Sequence, residues 1–123
     1  MELNVALPLF GFEQIKTFTL EKIDDFFYKL SHGEIAFTLI DPSKIREYTF
    51  EIPDFYAEKL SLEEGDKVKV LAIMVLQDPI EESVVNFLAP VVINESKKLL
   101  VQIPLDEQKY PDFALAEKIG RYL

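Results

Sequence analysis

The single histidine of the chain, His32, lies in the turn-like tetrapeptide SHGE (residues 31–34), and the sequence holds no cysteine to act beside it. Ser31 and Asp24 are near it in the chain, but a nucleophile relay is defined by hydrogen-bond geometry rather than by closeness in sequence. A turn histidine accounts for His32 without chemistry. Carboxylates are more abundant: Asp24 with Asp25, Glu63 with Glu64 and Asp66, Glu81 with Glu82, and Asp106 with Glu107. Paired acids divide general-acid and general-base roles only where their surroundings separate the two pKa values. All four groups fall in expected turns or strand ends, where water keeps them ionised. The segment SLEEGDKV (61–68) lacks the alternating acids and closing glutamate of a calcium loop, and four glycines supply no phosphate cradle. No catalytic group, metal or cofactor is expected.

Asn86 and Pro90 raise a different question. They sit in QDPIEESVVNFLAPVVIN (77–94), whose apolar second half reads as a buried strand. Such a strand puts Asn86 on the side of Val84, Leu88 and Val92, where an amide needs partners for two donors and an acceptor. Tying down a neighbouring turn is the plainer role for it, and contact with a partner is the alternative. Pro90 has no N–H to give a ladder, so it belongs at a sheet edge or a bulge. The expectation is a rim strand, either open to another chain or sealed against one.

The elements that must position these residues follow from periodicity. Tyr48, Phe50 and Ile52 alternate with Glu47, Thr49 and Glu51, and Leu99, Val101, Ile103 and Leu105 oppose Lys98, Gln102 and Pro104, as in strands with one buried face. Residues 67–77 are apolar on both faces, which predicts a strand covered on both sides and the most buried one of the fold. Further strands are expected at 3–7, 15–20, 26–30 and 35–40. Asp54 is a candidate cap for a short helix that turns Phe55, Leu60 and Leu62 to the core. Gly11, Gly33, Gly65 and residues 41–43 read as turns. The fold class is therefore mainly β: a small antiparallel barrel-like domain spanning residues 1–123, with one or two short helices.

Composition narrows the partners. With 22 acidic and 13 basic side chains the formal charge is −9, a poor match to nucleic acid or an anionic membrane. That charge serves solubility, or it meets a basic protein surface. No basic region precedes the first apolar residues, and no apolar run approaches the ~20 residues of a membrane span. A cytoplasmic location is expected.

Four segments, LFGFEQIKTFTL, FTLIDPSKIREYTFEIPD, VLAIMVLQDPIEESVVNFLAPVVIN and QIPLDEQKYP, in this order and spacing, resemble the FliW family of flagellar assembly factors. The resemblance runs over residues 9–111, with NFLAPVVIN and YP its most specific parts. The Pro-Gly step often found before GFE is absent here, and ALAEKIGRYL lies outside the resemblance. What it implies is a non-enzymatic cytoplasmic regulator, monomeric when free, with flagellin and the translational repressor CsrA as partners. Flagellin would occupy the factor until export frees it to antagonise CsrA. On that reading Asn86, Phe87, Pro90, Tyr110 and Phe113 are candidate partner contacts beside the rim strand. Glu81, Glu82, Asp106 and Glu107 are candidate charges that face CsrA and repel RNA phosphates. A small acid-based hydrolase or a carbohydrate-binding β-barrel is the alternative, and a structural subunit of a larger complex a third.

Overall fold

Alternating apolar residues build a sheet that closes on itself. The computed structural model describes residues 1–122, and among them are nine strands: β1 (Glu2–Val5), β2 (Thr17–Lys22), β3 (Phe27–His32), β4 (Ile35–Ile40), β5 (Val68–Val75), β6 (Val84–Val85), β7 (Val91–Asn94), β8 (Leu99–Gln102) and β9 (Glu117–Lys118). The order β4-β3-β2-β1-β8-β7-β5 returns to β4 through Thr38 opposite Met74, Leu39 opposite Ile73 and Ile40 opposite Ala72. Seven strands thus form a closed barrel, and closure pairs strands that would otherwise be open edges. Neighbours are antiparallel except β1 and β8, which run parallel with Asn4 opposite Leu99. β6 and β9 form a flap on the far end of β5.

Register shows where the core lies, because residues directly opposite one another share a face. Leu3 faces Phe18, Leu20 faces Leu30, Tyr28 faces Leu39, Leu39 faces Ile73, Leu71 faces Val91, and Ile93 faces Leu100. That chain of pairs runs around the barrel, and these side chains fill its interior. Outside, β1 to β3 present Asn4, Thr19, Glu21 and Lys29 to solvent. The outer faces of β5, β7 and β8 are covered instead, by an aromatic cluster around Tyr48 and Phe87 and by a smaller one around Leu60.

Coverage on both faces corrects three expectations. β5 is apolar on both sides as read, but the most buried strand is β7, whose four residues are all buried, while β5 opens at its ends with Val68 42% and Val75 54% exposed. Residues 99–105 are not one-sided, since Leu100 points into the barrel while Val101 and Ile103 lie under the helix side. Residues 48–52 keep their alternation, with Tyr48, Phe50 and Ile52 inward, yet they join no ladder. They cross the outside of β5 as an extended strap.

The helix α1 (Asp54–Lys59) has no side-chain cap: Pro53 occupies the N-cap position, and Asp54, expected as the cap, falls instead in the first turn, where a negative charge suits the helix dipole. Phe55 turns out to solvent, and Tyr56 takes the inward place beside Leu60 and Leu62. The β3–β4 hairpin has a two-residue loop, residues 33–34, and Gly33 supplies its φ of 58°. The fully buried amide is Asn94 rather than Asn86. Its Nδ2 donates to the Leu60 carbonyl and to Asp66 Oδ2, both at 2.9 Å, and its Oδ1 accepts from the Lys97 N–H. The Asn94 bond, followed by the Glu63 N–H and Lys97, holds the Asp66 carboxyl below the usual carboxylate range.

Asn94→Ala leaves the Leu60 carbonyl and the Lys97 N–H without these partners. The expected cost is about 1–3 kcal/mol. Urea unfolding should show a lower midpoint at unchanged m, and an unchanged midpoint would mean the amide has no net role.

Candidate partner-binding site

The candidate site begins with a register mismatch. Met74 lies opposite Val85 but Leu71 opposite Val91, so residues 86–90 face only Ala72 and Ile73 along the same edge of β5. The excess chain loops out as a wide bulge. Pro90 therefore sits in a bulge and not on a rim strand, because β7 has β5 on one side and β8 on the other. A bulge accepts a residue with no N–H to give.

Backbone groups taken out of a ladder still need partners. The Asn86 N–H donates to the Ile73 carbonyl and the Phe87 N–H to the Ala114 carbonyl, each at 2.9 Å. The Leu88 N–H donates to Asn86 Oδ1 at 3.0 Å, so Asn86, half-buried, ties down its own turn. The carbonyls of Leu88 and Pro90 accept from the Leu105 and Ile103 N–H groups, and that of Ala89 from Gln102 Nε2 at 3.2 Å. The Phe87 carbonyl accepts the buried Tyr48 hydroxyl at 2.6 Å. Burial pushes that hydroxyl far above the ordinary tyrosine range, with Arg46 partly opposing.

The bulge turns Phe87, fully buried, into the outer cluster. Tyr48 packs against it at 5.6 Å between ring centroids and against Phe113 at 4.6 Å, and Tyr110 stacks on Phe113 at 5.5 Å with nearly parallel ring planes. The Tyr110 hydroxyl accepts the Glu51 N–H at 3.0 Å, which ties the strap to the C-terminal tail. The Arg46 guanidinium lies 5.3 Å from the Phe87 ring and 5.0 Å from the Phe113 ring, as a cation–π contact requires. It also donates to the Asp112 carbonyl at 3.1 Å.

β9 brings Glu117 beneath Arg46. Its Oε1 accepts from Arg121 Nη1 at 2.7 Å and from the Tyr122 hydroxyl at 2.6 Å, while Oε2 is 3.6 Å from Arg46 Nη1. The tail then folds onto the 3-10 turn Ile80–Glu82. Gly120 permits that approach, since a Cβ there would meet the Glu81 carbonyl at 2.8 Å. Between strap and tail lies an open cleft of ≈ 730 Å³ lined by Arg46, Glu47, Asp112, Phe113, Glu117 and Tyr122.

Of the residues singled out in the sequence, Phe87, Tyr110 and Phe113 come together here. Phe87 and Pro90 are inside the protein, whereas Tyr110 and Phe113 are half-buried at the cleft. Glu81 and Glu82 are exposed, with Glu82 paired to Lys118 at 2.7 Å. Asp106 and Glu107 are exposed as well, and the Asp106 carboxylate closes its own turn on the Gln108 N–H. Neither acidic pair lines the cleft. Sequence reasoning missed Arg46, Tyr48, Glu117 and Tyr122. One signal was present: the chain has only two arginines, Arg46 and Arg121, and both converge on Glu117.

The FliW protein family model matches residues 2–114. The flagellar assembly factor FliW of Campylobacter lari is 44% identical over 127 residues, covering 100% of this chain and 97% of that protein. FliW 2 of Wolinella succinogenes is 43% identical over 99% of this chain and 92% of its own length, and the FliW of Sulfurimonas denitrificans 40% identical over 100% and 98%. A crystal structure of the flagellar assembly factor FliW superimposes with a TM-score of 0.85 at 24% identity, covering 96% of this chain and 84% of that one. That likeness shows the fold.

Tyr48→Phe removes the donor to the bulge carbonyl and is expected to cost about 1–3 kcal/mol. The pH dependence has a definite sign. A phenol whose folded pKa is raised contributes stability that is fully present below its unfolded value near 10 and is lost as pH rises beyond it. Wild type should lose stability above about pH 10 more steeply than Tyr48→Phe. Parallel alkaline unfolding curves would contradict the bond's role.

Proposed function

The chain belongs to the FliW family, and on that premise we propose that it serves flagellar assembly as a non-enzymatic, cytoplasmic protein that holds flagellin and, when free of it, antagonises CsrA. Family membership along nearly the whole chain carries this reading, and homologues named as assembly factors support a binding role over a catalytic one. Flagellin and CsrA are the partners the family resemblance implies.

Geometry contributes a place for a partner. The stacked Tyr110–Phe113 pair, beside an open cleft and presented by segments outside the ladders, has the aromatic character of binding hot spots. Flagellin is assigned to this surface. The exposed acids are assigned to CsrA: negative charge held near a basic RNA site speeds encounter and repels incoming phosphates. Glu81 and Glu107 suit that role best, because Glu82 is engaged with Lys118 and Asp106 with its own turn.

Two variants test the assignment. Tyr110→Ala should weaken flagellin binding by more than about 1 kcal/mol, roughly fivefold, with the fold intact by circular dichroism. Full affinity would place flagellin elsewhere. Reversing Glu81 and Glu107 to lysine should slow association with CsrA at low salt, and the deficit should shrink as added salt shortens the ~8 Å Debye length. Equal association rates at both salt levels would leave these acids as solubility charge alone.

A further inference from the structure

We infer that the strap, residues 47–52, is one half of an unfinished β-pairing, and that its free edge takes an extended, basic and amphipathic segment of a partner protein as an added strand. Side chains rather than backbone hold the strap in place: Tyr48, Phe50 and Ile52 pack on the outer clusters, while Glu47, Thr49 and Glu51 are exposed. Among the described residues only two of its backbone groups have hydrogen-bond partners. The Glu51 N–H donates to the Tyr110 hydroxyl, and the Glu47 carbonyl accepts from Arg46 Nε. Both bonds lie on the edge that faces the tail. In an extended chain the N–H and C=O groups of alternate residues point to opposite edges. Those of Tyr48, Phe50 and Ile52 therefore face away from the tail, and none of them has a partner among the described residues.

A groove runs along that free edge. A cleft of ≈ 230 Å³ lined by Tyr48, Phe50, Ile52 and Val70 meets one of ≈ 330 Å³ lined by Tyr48, Val68, Lys69 and Val70. Val68 and Val70 share one face of β5, and Val68 is exposed, so the floor is apolar and open. An extended chain supplies donors and acceptors at the two-residue spacing of Tyr48, Phe50 and Ile52, and every second side chain of it lands on the valines. Its other face lies beside Glu47, Thr49 and Glu51, because directly opposed residues of paired strands share a face. Glu47 has no ion-pair partner among the described residues, and Glu51 has only the exposed Lys109. Lys69 on the floor is already engaged by Glu95. Lysine or arginine at the outward positions complements that face. A second copy of this chain would instead bring the glutamates of two straps together, with a formal charge of −9 on each molecule. The free edge points away from Tyr110 and Phe113, so this site is separate from the surface assigned to flagellin.

The probe is an acetylated, amidated heptapeptide of alternating lysine and valine, titrated into the ¹⁵N-labelled full chain. Expected are saturable shifts of the amide signals of residues 48–52 and 68–70, with amide exchange slowed at Tyr48, Phe50 and Ile52 and unchanged at Thr49. Two analogues carry N-methyl groups, one on every valine and the other on every lysine. One of them should bind like the parent and the other roughly tenfold more weakly or worse, since only one edge of the peptide meets the strap. The glutamate–valine counterpart should not bind. Val68→Lys, altered at an exposed position, should weaken the peptide about fivefold, and the N-methyl pair keeps the test decisive if that variant does not fold. No saturable shift, equal behaviour of the two N-methyl analogues, equal affinity for the glutamate peptide or unchanged affinity in a folded Val68→Lys would each overturn the inference. Dimerisation of the free chain that slows the same three amides would overturn it as well, by making a second copy the occupant. Neither flagellin nor CsrA is in the assay, so its outcome is independent of the assignments made for them.

Discussion

Five residues of backbone diverted from a sheet edge must find hydrogen bonds elsewhere, and most of what is distinctive in this protein follows from that requirement at residues 86–90. The carbonyls and N–H groups of the bulge draw on Ile73, Ala114, Leu105, Ile103, the Gln102 side chain and the Tyr48 hydroxyl. These partners come from four segments: β5, the strap, the tail, and the end of β8 with the chain that follows it. Strap, tail and the chain after β8 are thereby fixed to one point on the barrel, although none of the three is part of its closed circuit. Gln102, buried in a strand, is explained by the same demand: its amide bridges Ala89 in the bulge and the Phe10 N–H.

Packing and electrostatics then act on a frame already set. Once the bulge places Phe87 on the outer face of β5, Tyr48, Phe113 and Tyr122 complete an aromatic layer. Arg46 roofs that layer and Glu117 neutralises Arg46. A buried ion pair of this kind contributes more to register than to net stability, because desolvation offsets much of its attraction. It holds the tail where it can border a cleft. The strap and tail thus form a second surface outside the barrel, rich in side chains that recognise proteins.

The barrel was legible in the sequence because period-2 alternation and a two-faced apolar run report burial directly, and β1 to β5 fall where they were read. Residues 48–52 show the limit of that signal. Their alternation reports one buried face, and a strap packed on a sheet has the same periodicity as a strand within one. Pro90 was correctly excluded from a regular ladder, but an edge and a bulge exclude it for the same reason, and only the offset between β6 and β7 separates them. Asn86 and Asn94 are both amides among apolar sequence neighbours, and only Asn94 is fully buried, because Leu60 and Asp66, brought in from elsewhere in the chain, satisfy its amide. The tail was unreadable because its structure comes from contacts with β6, Arg46 and the bulge rather than from its own pattern.

The central proposal is that the surface built on the bulge, strap and tail together is the one flagellin uses. Hydrogen–deuterium exchange of the whole chain with and without flagellin tests it most directly. The account predicts slower exchange on binding in residues 46–52 and 109–122, with the amides of β2 and β3 unchanged. Protection confined to β1–β4, with strap and tail exchanging as in the free protein, would contradict it.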